Sequence, residues 1–134
     1  MKSNQIKYLS VILTQLTFEL NRKFTMPTGG VRVDASFDVK RVFDKRKNRL
    51  ITSLTIELFK KIKNPPFFLE ATIEGTFECA DFDNLKKFAQ INAPAHLFPF
   101  LREIVGNTSL RAGIPPLLLP PINLAAMLSE KKKK

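Results

Sequence analysis

Residues 67–79 read FFLEATIEGTFEC, and their alternation limits the fold more than any other stretch. Phe67, Leu69, Ala71, Ile73, Gly75, Phe77 and Cys79 share one face, while Glu70, Thr72, Glu74, Thr76 and Glu78 share the other. A period of two over this length predicts a long strand with one dry face. The dry face requires a second layer to cover it. Three further strands follow the same logic. Leu16, Phe18 and Leu20 alternate with Gln15, Thr17 and Glu19. Val33, Ala35, Phe37 and Val39 alternate with Asp34, Ser36, Asp38 and Lys40, and Leu54, Ile56 and Leu58 flank Thr55 and Glu57. Pro27, Gly29 and Gly30 make NRKFTMPTGG a loop, and DKRKNR and KNPP are turns. Short turns between the second, third and fourth strands predict an antiparallel meander.

Helices supply the cover. FDNLKKFAQIN is a short candidate, and AHLFPFLREIVGNTSLRAG a longer one with Pro99 in its first turn and Gly113 as its stop. Leu97, Leu101, Ile104, Val105 and Thr108 form a stripe at helical spacing. Gly106 and Ser109 give a flank of small residues. Asn123 caps a final helix, LAAMLSE. No repeat divides the chain, so residues 1–134 are expected to form one domain, with 131–134 a basic tail.

Between the last two helices lies IPPLLLPPI, nine residues without a polar side chain. It is too short to span a bilayer, so membrane insertion is not expected. Its prolines hold it extended. An extended backbone sends Leu117 and Leu119 one way and Leu118 the other. Each leucine can plug the core or wall an exposed groove, and both readings stay open.

Net charge is +10, carried by Lys131 to Lys134 and by the lysines and arginines of DKRKNR and FKKIK. A solvated tail and turns explain such charge, as does an acidic partner or nucleic acid. No recognition helix or RNA-reading aromatic motif accompanies it, which disfavours nucleic acid. Cys79 is the only cysteine, so neither an internal disulfide nor a CxxC site can form. That suits a reducing compartment, and the N-terminus lacks a convincing secretion signal; a cytoplasmic address is expected. His96, the only histidine, reads as a packing or capping residue. Glu78, Asp81 and Asp83 charge the start of a helix rather than hold a metal. With no phosphate loop and no nucleophile–base pair, neither catalytic residues, metal nor cofactor are expected, and the chain does not read as an enzyme.

The segment APAHLFPFLREIVGNTSLRAGIPPLLLPPINLAAML resembles the C-terminal half of the SecB family of export chaperones. The likeness lies in Leu97, Phe98 and Pro99, then Arg102, Glu103 and Arg111, then Pro115, Leu117, Leu119, Pro121, Asn123 and Ala126. FLEATIEGTFE fits that family's fourth strand and LTFE its first. The resemblance implies an α+β fold: a four-stranded antiparallel sheet, order 1-4-3-2, covered on one face by helices. It implies a homotetramer built as a dimer of dimers, with Gly106 and Ser109 packing helices between subunits or within one. It implies an ATP-independent molecular chaperone, a holdase that takes unfolded polypeptide segments into an apolar groove. Phe24, Met26 and Pro27 would form one wall, and Ile114, Pro115, Leu117, Leu118 and Leu119 the other. Phe and Met suit a promiscuous surface. Family members dock the motor SecA through carboxylates on the outer sheet face, and Glu19 and Glu70 match two of those positions. Gln15 stands where an acid is usual and the overall balance is basic, which departs from that pattern. Some SecB-like proteins instead guard an antitoxin. The alternative is a basic adaptor on the same scaffold, binding nucleic acid or an acidic protein.

Overall fold

The computed structural model describes residues 5–25 and 33–114. They form β1 (Lys7–Leu20), β2 (Ala35–Asp44), β3 (Arg49–Leu58), β4 (Phe67–Glu78), α1 (Phe82–Gln90) and α2 (Asn92–Arg111). The strands make one antiparallel sheet in the order β1-β4-β3-β2, as expected. The expected final helix and Asn123 lie outside the described residues.

Register carries the alternation of β4 across the sheet. Leu50, Thr52, Leu54, Ile56 and Leu58 of β3 stand opposite Phe77, Gly75, Ile73, Ala71 and Leu69. All are buried beneath the helices. Thr52 is the polar member of this layer, and its hydroxyl has no hydrogen-bond partner among the described residues. Such a group keeps its desolvation cost with nothing to offset it. Thr52→Val is therefore expected to raise stability by about 1 kcal/mol, read as a higher midpoint in urea. A lower midpoint would mean that the hydroxyl is satisfied.

Strand β1 extends further toward the N-terminus than its alternation suggests. Its register shifts between Tyr8 and Ser10 and again between Leu13 and Gln15, so Leu9 and Thr14 are bulged. Each bulge inserts one residue and resets which side chains face inward. Tyr8, Val11, Leu13, Leu16, Phe18 and Leu20 thereby share the face of Phe77, Gly75, Ile73, Ala71, Leu69 and Phe67.

Asp81 caps α1, its carboxylate accepting from the Asn84 backbone N–H at 3.3 Å. Leu85, Phe88 and Ala89 turn inward. Arg41 sits at an inward position of β2 and closes the other end of α1. Its Nε donates to the Ala89 carbonyl at 2.6 Å and its Nη2 to the Gln90 carbonyl at 2.8 Å. These are orphan carbonyls of a helix end. Burial draws the guanidinium below its ordinary pKa.

Helix α2 begins at Asn92, so Pro94, not Pro99, occupies the first turn. Pro99 lies inside the helix and cannot donate to the Ala95 carbonyl. The buried stripe also differs from expectation. Leu97, Leu101, Val105 and Ser109 follow a strict four-residue spacing, which leaves Ile104 and Thr108 half-buried at its edge. Gly113 ends the helix as expected. Its φ is +78°, its N–H donates to the Leu110 carbonyl, and the Ile114 N–H donates to that of Ser109. That pair of bonds is a Schellman motif, which favours glycine at this position.

Candidate client-binding and docking surfaces

The loop after β1 is shaped by Asn21. Its backbone N–H donates to the Pro66 carbonyl at 3.1 Å. Its Nδ2 donates to the Asn64 Oδ1 at 2.8 Å and the Pro65 carbonyl at 2.7 Å. Its Oδ1 accepts from the Lys23 N–H at 3.1 Å, and the Phe24 N–H returns to the Asn21 carbonyl at 3.2 Å. An asparagine closing a local turn in this way fixes the residues just beyond it. Arg22 and Lys23 are exposed, and Phe24 is half-buried.

Beneath this turn opens a pocket of about 470 Å³. Leu20, Pro65, Phe67 and Phe68 supply its apolar lining, and Arg22 and Lys23 stand at its rim with Glu19. Phe67 is held from two sides, by Phe18 at 5.5 Å and by Phe59 at 5.0 Å between ring centroids. Sequence reading marks the flanking NRKFTMPTGG loop and KNPP turn but does not single out Leu20, Phe67 or Phe68 as site residues. Alternation assigns Phe68 to the outward face, so a large apolar residue among glutamates was the one legible hint.

Helix α2 passes from the Arg41 end of the sheet toward Phe37, which meets Phe98 at 5.9 Å. It thus advances toward the end where Phe24 lies. Ile114 follows its cap and packs, half-buried, against the core. Met26, Pro27, Pro115, Leu117, Leu118 and Leu119 lie outside the described residues. Ser109 is 1% exposed and its Oγ donates to the Gly106 carbonyl at 2.9 Å, so it belongs to the face α2 turns to its own sheet. Gly106 is half-buried.

The outward sheet face is acidic despite the basic chain. Asp38, Glu57, Glu70, Glu74 and Glu78 lie on it with Glu19, against Lys7, Lys40 and Arg49. Arg49 is held by Glu78 at 3.1 Å. Glu70 lies between Thr17 and Glu57, and Glu19 is exposed opposite Phe68. Gln15 donates to Glu70 Oε2 at 2.9 Å and to Thr17 Oγ1 at 3.0 Å, and Thr72 Oγ1 donates to Gln15 Oε1 at 3.2 Å. Gln15 therefore binds the neighbouring carboxylate where a second acid would repel it. The basic overall balance does not extend to this face.

His96 is exposed and packs rather than stands alone. Its Nε2 lies 3.1 Å from the Tyr8 hydroxyl, and its ring stacks on Phe88 at 5.7 Å. It joins α2 to the edge strand. Among the described residues no cluster of three or more His, Cys, Asp or Glu could hold a metal ion, and no helix is long and apolar enough to cross a membrane.

Comparison with known proteins agrees with this architecture. The family model described as preprotein translocase subunit SecB matches residues 3–134. An uncharacterised protein of Methanocaldococcus jannaschii is 30% identical over 129 residues, covering 92% of this chain and 83% of that one. The protein-export protein SecB of Ruegeria sp. is 34% identical over 131 residues, covering 92% of this chain and 79% of that one. A SecB-like chaperone of Mycobacterium tuberculosis, solved in complex with a peptide of the HigA1 antitoxin, has the same fold. Its TM-score is 0.71 at 16% identity, over 87% of this chain and 90% of that one. By sequence match along nearly its whole length, this chain belongs to the SecB family of protein-export chaperones.

Proposed function

We propose that this chain is an ATP-independent holdase that keeps unfolded polypeptide segments from aggregating, in protein export or beside a toxin–antitoxin pair. The observation that carries the reading is the open pocket at the β1–β4 end, floored by Leu20, Phe67 and Phe68 and next to Phe24, in a member of the SecB family. Apolar burial there supplies roughly 25 cal/mol per Å². Ordering a flexible client opposes it, so each contact is weak. Several sites on one oligomer then add their effects.

Oligomerisation finds support in β1. Tyr8, Leu9, Ile12, Leu13 and Leu16 are all exposed on an edge strand, and such an edge invites pairing. A homotetramer, as a dimer of dimers, suits it, with the partly open Gly106 available for helix packing. Glu19 and Glu70 on the acidic outward face suit a basic docking segment such as that of SecA. An antitoxin is a second candidate partner, as in the mycobacterial complex. Residues 1–134 act as one domain, in the cytoplasm, without catalysis.

The direct test follows aggregation of a reduced, unfolded client without nucleotide. Wild-type chain is expected to suppress it. Phe24→Ser, Met26→Ser and Leu118→Ser together are expected to abolish suppression while circular dichroism stays native. Undiminished holding by that folded variant would remove Phe24, Met26 and Leu118 from the site. Binding to RNA that falls steeply with salt, survives the same changes and weakens on loss of Lys131 to Lys134 would favour the basic-adaptor reading instead.

A further inference from the structure

The turn after β1 and the turn before β4 form one cationic rim. The bonds from Asn21 to Asn64, Pro65 and Pro66 fasten them together. Arg22 and Lys23 on one turn thereby share an end of the sheet with Lys61 and Lys63 on the other. All four are exposed. Among the described residues none of the four has a carboxylate within ion-pair distance. Lys60, by contrast, is held by Glu57 at 3.1 Å. Ile62 stands exposed between the lysines. The pocket floored by Leu20, Phe67 and Phe68 opens beside Arg22 and Lys23, with Lys61 and Lys63 on the adjoining turn, and among the described residues Glu19 is the one carboxylate in its lining. Asp34 stands outside the pocket, where it lines a separate hollow with Ile62, and Glu57 and Glu70 lie on the outward sheet face, where β-alternation sorts them.

We infer that this rim makes the site selective for apolar client segments flanked by aspartate or glutamate, and that it turns away segments flanked by lysine or arginine. The inference rests on the holdase reading and adds its substrate class. An extended client that seats an apolar side chain on Phe67 and Phe68 places a residue two or three positions away roughly 7–10 Å along its backbone. That is within about one Debye length at physiological salt, so a carboxylate there meets the field of Arg22, Lys23, Lys61 and Lys63. Exposed ion pairs are individually weak and screened by salt. Several acting together on one segment give roughly a tenfold to hundredfold preference over the oppositely charged segment.

The test uses the full chain and three labelled peptides that share one Leu- and Phe-containing centre. One carries glutamates on both flanks, one lysines, and one serines. Fluorescence anisotropy is expected to show the glutamate peptide binding roughly tenfold to hundredfold more tightly than the lysine peptide at low salt, with the gap closing at high salt. Arg22→Glu, Lys23→Glu and Lys61→Glu together are expected to invert the order between the glutamate and lysine peptides while circular dichroism stays native. Equal affinities in the wild type, a preference for lysine, a gap insensitive to salt, or an order that survives the charge reversal each overturns the inference. If the serine peptide binds and the flanks make no difference, selectivity falls and holding stands. If no peptide binds and the unfolded client still aggregates, the holdase reading falls with it.

Discussion

Leu97→Ala is expected to lower stability by about 3–5 kcal/mol, read from the urea midpoint at unchanged slope. Leu97 is wholly buried where α2 crosses the sheet. It sits on Gly75: a Cβ built there would lie 2.7 Å from Leu97 Cδ2 and 2.9 Å from the Phe77 ring. The leucine therefore fills the space that the missing side chain of β4 leaves. Truncation places an alanine over a glycine, between a sheet and a helix held to it by the buried Leu101, Val105 and Ser109, and the gap has little means to collapse. The reverse change, Gly75→Ala, overpacks the same contact and is expected to cost about 1–3 kcal/mol. Combining them lets the new methyl enter the vacated space. The double variant should then be more stable than the sum of the single losses predicts, by about 1 kcal/mol or more. Strict additivity, or a loss below about 1 kcal/mol for Leu97→Ala, would mean that the helix does not bear on Gly75.

This contact also explains which parts of the fold the sequence reveals. Strand β4 alternates without interruption, so its inner face and its gap at Gly75 are visible from the order of its residues alone. Strand β1 is legible only from Leu16 onward, because bulges at Leu9 and Thr14 twice break the period of two. Arg41 falls on an inward position, which no alternation rule would choose. Its reason is the end of α1 more than forty residues later in the chain, a tertiary partner that local patterning cannot supply. Two prolines five residues apart offer alternative first turns to α2, and only the break at Ile91 selects Pro94 over Pro99. At the proposed client surface, Phe24 and Ile114 fall just beyond the ends of β1 and α2, whereas Phe67 and Phe68 are hidden inside a strand whose rhythm already accounts for them. The acidity of the outward sheet face is invisible in a net charge of +10, because alternation collects carboxylates on one side of the sheet while the lysines collect in turns.

Leu13→Glu with Leu16→Glu is expected to split the proposed assembly into a smaller folded species, seen as a drop in mass by light scattering. These two side chains lie on the sheet face that the helices cover, yet they remain 46% and 44% exposed, because the helix layer rests on β3 and β4. With the exposed Tyr8 on the same face, they give the edge strand an apolar run that water does not favour. A second copy of β1 would satisfy its free backbone groups and bury this run together. In a two-fold contact every change counts twice. If the exposed part of each leucine contributes about 1 kcal/mol, two leucines in two copies amount to about 4 kcal/mol. That corresponds to roughly a thousandfold weaker dimer, before the repulsion of four new carboxylates is added. Both positions are accessible in the single chain, so circular dichroism and the urea midpoint of the dissociated protein should stay near native values. A variant with the mass of the wild type, or a wild type that is already monomeric at micromolar concentration, would show that β1 closes its edge in another way. The same experiment bears on holding: if affinity comes from several weak sites on one assembly, the dissociated variant should keep its pocket and still suppress aggregation far less well per chain.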